Sequence, residues 1–138
     1  MRGLTLLIAI AIFAAASAGS TSTGPTGRIA YAPRFLPTDN WEIFTVNAAG
    51  GRTVNLTRNP RCHETFPAWS HDGRWIAFMC AGRLVVMRDD RRARRTVVRL
   101  RGQFLLGDPA WSPDDRQLAF PGSTASGSST STGRVCVA

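Results

Sequence analysis

The sequence predicts an all-β fold made of repeated four-stranded units, and three observations lead to that prediction. First, residues 66–78 and 108–120 match without a gap at Pro, Ala, Trp, Ser, Asp, Arg, Ala and Phe, so that Trp69 and Trp111 are 42 positions apart. Second, the surrounding stretches are short, rich in β-branched and aromatic residues, and bounded by turn residues, as is typical of strands. Third, no window after the N-terminal apolar run has a convincing helical period.

The better-preserved unit contains four predicted strands, over 67–70, 75–79, 84–88 and 96–100. Four-stranded units of this period, arranged radially, make a β-propeller. One blade cannot bury both faces of its sheet, so neighbouring blades must stack, with one Trp per blade between them. The expected structural positions of the repeat are Trp69, Asp72, Gly73, Phe78, Trp111, Asp114 and Phe120.

Weaker copies flank the central unit, which gives repeat units of about 28–57, 66–100 and 108–138. We therefore expect an incomplete β-propeller of about two to three antiparallel blades, with the low-complexity segment 122–133 linking two strands of the last unit. So few blades do not close a ring. Either the gene product is truncated, or the open blade edges associate with another chain.

The N-terminus predicts export. A short basic start, an apolar run too short to span a membrane, and small residues at 16–18 are typical of a signal peptide, here a helix over 1–18. Residues 19–27 are expected to be a flexible leader, and 28–138 the partial propeller. The protein would be secreted or held in the periplasm or cell envelope, with no transmembrane anchor after cleavage. With 43% hydrophobic and 19% charged residues, the composition excludes a wholly disordered chain and a multi-span membrane protein.

Few residues suggest chemistry. Ser70, His71 and Asp72 are adjacent in one turn and cannot align as a hydrolase triad. His63 and His71, with neighbouring acidic residues, match no zinc spacing. We therefore expect no catalytic residue, no metal ligand and no cofactor. The sequon 55–57 is interpreted as part of the repeat.

Basic residues are concentrated late in the chain. All 17 basic residues are Arg, the formal net charge is +8, and seven Arg lie within 88–101. One interpretation is an anionic partner such as an envelope polymer. The other is a solvated loop and edge strand whose charge discourages aggregation. Nucleic acid is not an expected partner of an exported protein. In addition, no aromatic residues that could stack on bases interleave with these Arg.

The motif Pro-Ala-Trp-Ser-x-Asp, followed by Ile/Leu-Ala-Phe and preceded by Asn-Leu-Thr at 55–57, resembles the repeat of the TolB-type, WD-repeat-like β-propeller family. His71 stands where that family usually has Pro, and Asp115 where it usually has Gly. The second turn should therefore be strained or looser. The resemblance implies an exported, non-catalytic protein–protein interaction or binding scaffold. The alternative is a propeller fragment of a prolyl oligopeptidase-like serine peptidase whose catalytic domain lies elsewhere.

The three cysteines allow at most one internal disulfide. In a propeller blade, the connection into the first strand and the connection between the second and third strands lie at the same end. This places Cys62 near Cys80, and export favours their oxidation. Cys136 would then be the unpaired thiol. The alternative is three reduced cysteines.

Overall fold

The computed structural model describes residues 22–23, 27–33, 40–99, 107–123 and 130–137, and the expected signal peptide over 1–18 lies outside them. The described residues form eleven strands and no helix. This part of the chain therefore contains no helix that could span a membrane. All strand pairs are antiparallel. The predicted all-β, antiparallel fold is confirmed.

The strands form three sheets, which we call blades 1, 2 and 3. Within each blade, neighbours in sequence are neighbours in space. Blade 1 contains β1 (Ser22–Thr23), β2 (Arg28–Tyr31), β3 (Phe44–Asn47) and β4 (Val54–Asn55). Blade 2 contains β5 (Glu64–Trp69), β6 (Trp75–Cys80), β7 (Arg83–Arg88) and β8 (Arg95–Arg99). Blade 3 contains β9 (Ala110–Trp111), β10 (Gln117–Ser123) and β11 (Thr130–Cys136).

Blade 2 is buried on both faces because it lies between the other two blades. Every residue of β6 except Trp75 is buried. A strand with one solvated face alternates apolar and polar residues, whereas Ile76–Cys80 is apolar throughout, as a doubly covered strand requires. The sequence pattern of β6 thus reflects its central position in the stack.

Strand β5 begins three residues earlier than the sequence predicts. A bulge interrupts its pairing with β6 between Thr65 and Ala68. Phe66 has φ 56° there, a left-handed conformation that is uncommon for a bulky residue. Pro67, which has no N–H to donate to a neighbouring strand, lies within the same irregularity. Proline is tolerated in strands at such bulges.

The N-terminal boundary of blade 1 needs a correction. Ser22 and Thr23 were expected in a flexible leader over 19–27, but they form β1 and pair with Ala30 and Ile29. Serine and threonine in a sequence of low complexity give little strand signal, so this strand depends on pairing with β2 rather than on its own pattern.

Blade 3 also differs from expectation in its connection. The segment 122–133 was predicted to be a loop, but β10 continues to Ser123 and β11 begins at Thr130. Phe120 pairs with Gly133 across these strands, and a Cβ at position 133 would overlap the Phe120 ring. Glycine at this position therefore leaves room for a buried aromatic ring on the neighbouring strand.

Two apolar clusters hold the blades together. One joins blade 1 to blade 2, and the other joins blade 2 to blade 3, so the faces of blade 2 are both used for packing. The first contains Ala30, Ile43, Leu56, Cys62, Trp69, Ile76, Phe78, Cys80, Val85 and Met87. The second contains Ala68, Ala77, Met79, Leu84, Val86, Trp111, Leu118, Phe120 and Val137.

Candidate functional site

The two ends of the blades carry different groups. At one end, which we call the Ser-Asp rim, lie the turns 70–74 and 112–116 that follow the first strand of blades 2 and 3. The Asp89 N–H donates to the Arg74 carbonyl at 3.0 Å and places the β7–β8 turn at this end. At the opposite end, the disulfide rim, lie Cys62 and the β6–β7 turn.

The Ser-Asp turn of blade 2 is held by its own side chains. The Ser70 hydroxyl lies 2.6 Å from Asp72 Oδ1 and accepts the Trp75 N–H at 2.9 Å. Asp72 Oδ1 also accepts the Arg74 N–H at 2.9 Å. Gly73 supplies the positive φ, 69°, that closes the turn. Ser70 is fully buried in these bonds, and the His71 ring contacts Asp115 of the next blade.

Blade 3 repeats the same bonds. The Ser112 hydroxyl lies 2.5 Å from Asp114 Oδ1 and accepts the Gln117 N–H at 2.9 Å. The hydrogen bond from Ser112, followed by one from the Arg116 N–H, lowers the pKa of the fully exposed Asp114 carboxyl. Asp115 takes φ 56° in place of glycine, and its N–H donates to the Ser112 carbonyl at 2.9 Å. The expected loosening of this turn is not observed.

Asp115 also connects the two turns across the blade boundary. Its carboxylate accepts the backbone N–H groups of His71 at 2.7 Å and Asp72 at 2.9 Å. The His71 ring Nδ1 lies 3.0 Å from the same carboxylate. Burial raises the pKa of the Asp115 carboxyl, but these hydrogen bonds outweigh burial, so the pKa lies below its ordinary value of 3.8.

The two repeat tryptophans lie between blades. Trp69 is 6% exposed, packs in the cluster between blades 1 and 2, and has the Arg28 guanidinium 4.8 Å from its ring centroid. Arg28 in turn pairs with Asp89 at 3.0 Å. Trp111 packs between blades 2 and 3, and its Nε1 donates to the Ala68 carbonyl at 3.0 Å. The structure therefore places both rings in interblade packing rather than in an open site.

Cys62 and Cys80 are joined by a disulfide with a Cα–Cα distance of 5.6 Å, within the usual range. Both residues are buried, and the bond connects the segment before β5 to the end of β6. Cys136 is free and exposed on β11. The disulfide thus ties the first two strands of blade 2 together at the disulfide rim.

An ion pair between a buried carboxylate and a partly exposed guanidinium lies next to this disulfide. Glu64 has no exposed surface, and its Oε1 accepts hydrogen bonds from Arg94 at 2.6 Å and from the Asn59 side chain at 3.0 Å. Arg94 also covers the Phe78 ring, with its guanidinium carbon 5.0 Å from the centroid. The pair holds the Arg94 guanidinium against the core, because removing Arg94 would leave the buried Glu64 carboxylate without its charged partner.

A cavity of about 330 Å³ opens beside this ion pair, and we call it the arginine pocket. Its floor includes the disulfide and Val85. The register partner of Arg83 is Arg99, so these two side chains share the face of blade 2 that looks toward blade 1. The lining residues are Asn59, Arg61, Cys62, Cys80, Arg83, Val85, Arg94, Arg95 and Thr96.

The arginine-rich segment 88–101 does not act as one unit, because strand alternation divides it. Arg88 pairs with Asp90 at 3.9 Å at the Ser-Asp rim, where Arg91 also lies. Arg94 turns toward blade 1, whereas the Arg95 guanidinium donates to the Val137 carbonyl of blade 3. Sequence reasoning missed the Glu64–Arg94 pair, since the partners are 30 positions apart.

The other candidates have local roles. The Trp41 N–H lies 3.5 Å from His63 Nδ1, and their rings meet edge to face. In the sequon, Asn55 contacts Glu42 and Thr57 accepts the Ile43 N–H at 3.0 Å. Across the described ranges, no three His, Cys, Asp or Glu side chains are grouped as a metal ion would require.

No protein-family model and no curated protein matches the sequence, but solved structures do. The structure of a putative TolB from Agrobacterium tumefaciens superimposes with a TM-score of 0.68 over 84% of this chain, at 16% identity. The fold is that of a TolB-type β-propeller. TolB from Acinetobacter baumannii gives a TM-score of 0.64 over 86% of this chain, at 19% identity. A prolyl endopeptidase structure gives 0.53 over 86%, at 17% identity.

The match covers only part of each of these proteins. This chain corresponds to 44% of the Agrobacterium protein, 29% of the Acinetobacter protein and 20% of the prolyl endopeptidase. The described residues thus account for three adjacent blades of a TolB-type propeller.

Proposed function

We propose that this chain is an exported, non-catalytic scaffold that binds its partner through the rims of its blades. The observation that carries the proposal is that both faces of blade 2 are used in stacking against blades 1 and 3. For blade 2, contacts with a partner are then left to the two rims, where Arg74 and Arg83 lie. The similarity to TolB structures supports the scaffold class through the fold alone.

A cross-linking experiment tests rim binding, because the chain contains no lysine. Arg74→Lys at the Ser-Asp rim and Arg83→Lys at the disulfide rim each create one side-chain amine while keeping the charge. We expect an amine-reactive cross-linker to give discrete adducts of at least one variant when the exported protein is treated in its native compartment. The wild-type chain, which has only its terminal amine, is the matched control. Identical patterns for all three proteins would contradict the proposal.

Export has its own test. The chain, expressed with its native N-terminus in a bacterial host, should be recovered from the periplasm or medium with Gly19 as its first residue. N-terminal sequencing of the fractionated protein measures this. Recovery from the cytoplasm with residues 1–18 still attached would contradict export.

The alternative function is a propeller fragment of a serine peptidase, and the similarity to the prolyl endopeptidase structure favours it. A peptidase would need a catalytic domain with a Gly-x-Ser-x-Gly turn. The genomic sequence following codon 138 decides between the two. An in-frame downstream region encoding that turn would favour the peptidase, and an immediate stop codon would favour the scaffold.

We also propose a separate contact between two copies of this chain, at the face of blade 1 that is directed away from blade 2. The rings of Tyr31 and Phe44 lie 6.0 Å apart on the face directed away from blade 2, and Ile29 pairs with Val46 on the same face. We expect the mature chain to self-associate at micromolar concentration, and Tyr31→Arg to reduce this while Arg74→Gln does not. Light scattering measures the mass. A wild-type monomer that unfolds cooperatively would overturn this part.

A further inference from the structure

The arginine pocket has a positive charge that the described part of the chain does not balance. Arg94 is paired with Glu64, but the guanidinium groups of the lining residues Arg61 and Arg83 meet no carboxylate among the described residues. No acidic residue is among the described residues that line the pocket. From this we propose that the arginine pocket is a binding site for an oxyanion of the phosphate class.

The cross-strand neighbour of Arg83 also supports the proposal. Arg83 and Arg99 are direct cross-strand partners in blade 2. Like charges in this position repel each other and destabilise a sheet pair. An anion bound in the pocket against Arg83 would offset this repulsion, and the planar guanidinium group suits phosphate oxygens.

The walls of the pocket are fixed before any ligand arrives. The disulfide joins Cys62 and Cys80, which both line the pocket, and so holds the segment bearing Arg61 against the start of β7 bearing Arg83. Glu64 holds Arg94 in place at 2.6 Å, which makes Glu64 a positioning residue for the site. A preformed site loses little side-chain entropy on binding.

This inference deepens the scaffold function by naming the chemistry of one ligand, and it rests on that function for its biological meaning. The phosphate group belongs either to a small ion or to an anionic polymer of the envelope, since both present the same oxygens. Binding by the purified chain can fail while the rims still cross-link to a protein partner, so the two proposals are separable.

The test is thermal unfolding of the purified, disulfide-bonded mature chain in inorganic phosphate, with chloride at matched ionic strength as reference. At millimolar phosphate we expect a saturable rise in the midpoint of about 4–8 °C for wild type. Arg83→Gln and Arg61→Gln should lose this rise. Arg74→Gln, which makes the same charge change at the Ser-Asp rim, should keep it. Acetate serves as the carboxylate arm and should give a smaller rise.

A second arm replaces phosphate by long-chain polyphosphate. Tighter binding that remains sensitive to Arg83→Gln would identify a polymer source, and equal affinity per phosphate would identify a small ion. If Arg83→Gln does not fold, Arg61→Gln, which removes another lining guanidinium, replaces it in both arms. No rise in wild type, or the same rise in Arg83→Gln and Arg74→Gln, would overturn the proposal.

Discussion

The Ser-Asp turns of blades 2 and 3 are the same structure built from two different sequences. Each serine contacts the aspartate two positions later, and each accepts the N–H five positions later at 2.9 Å. The residue that closes each turn has φ between 56° and 69°. One copy uses glycine at this position and the other uses aspartate, although aspartate adopts this conformation at some cost.

The two departures from the repeat pattern explain each other. Asp115, in place of glycine, needs donors for its carboxylate, and His71, in place of proline, has the N–H that proline lacks. The bond between them crosses the boundary between blades 2 and 3. A residue that departs from a repeat can therefore gain a contact between repeats, at the cost of local strain within its own turn.

The largest expected effect comes from removing the interblade rings that the two copies share. Trp69→Ala should lower the free energy of unfolding by about 3–5 kcal/mol, and Trp111→Ala by a similar amount, because each leaves a cavity between two sheets. Denaturant unfolding measures both. Val54→Ala, at the most exposed large apolar side chain described, is the control and should have little effect. An unchanged unfolding midpoint for Trp69→Ala, together with loss of partner binding, would show that this ring belongs to a binding site rather than to the interblade core.

The serines should separate the two turns next. Ser70 is 1% exposed and Ser112 is partly exposed. Ser70→Ala leaves buried partners unsatisfied and should cost about 1–3 kcal/mol, whereas water can replace the Ser112 hydroxyl, so that Ser112→Ala should cost about 0.5–1.5 kcal/mol. Urea unfolding of the two variants gives the difference. Equal costs would show that burial does not distinguish these turns.

Sequence alone predicts the features that are repeated or local. The strands β6 and β7 and the turn at Gly73 follow from short apolar stretches and turn residues. Trp69 and Trp111 follow from their fixed spacing. These features are predictable because the backbone alternation and turn conformations depend on a few adjacent residues.

Contacts between blades are less accessible from the sequence. The Glu64–Arg94 pair forms because Arg94, just before β8, reaches across the blade to β5 at the opposite edge, and nothing in the local pattern of either residue indicates it. The contact of Asp115 with His71 depends on the stacking of blades 2 and 3. The sequence identified Asp115 and His71 as departures from the repeat. Only their contact in three dimensions explains why these two residues occur together.

A double-mutant cycle tests whether the two departures are coupled. His71→Pro should destabilise the Asp115 protein by roughly 1 kcal/mol more than it destabilises the Asp115→Gly protein, because only the former loses an N–H donor to a partly buried carboxylate. Chemical denaturation of the four proteins gives the coupling energy. His71→Ala, which keeps the N–H and removes the ring, should fall between wild type and His71→Pro. A coupling close to zero would mean that the two residues departed from the repeat independently.

The smallest expected effect is the pH dependence of the same contact. Hydrogen bonds from the two backbone N–H groups and from His71 hold the pKa of Asp115 below its ordinary value of 3.8, against the opposing effect of burial. A carboxyl with a lowered pKa in the folded state stabilises the protein above its unfolded-state pKa, and this stabilisation is lost as the pH falls through the folded-state pKa. The stability difference between wild type and Asp115→Gly should therefore shift against wild type below about pH 4. Urea midpoints measured for both proteins across this range provide the test, and Asp114 titrates in both and cancels. A difference that stays constant down to the lowest pH would show that the Asp115 charge contributes nothing to the contact between the blades.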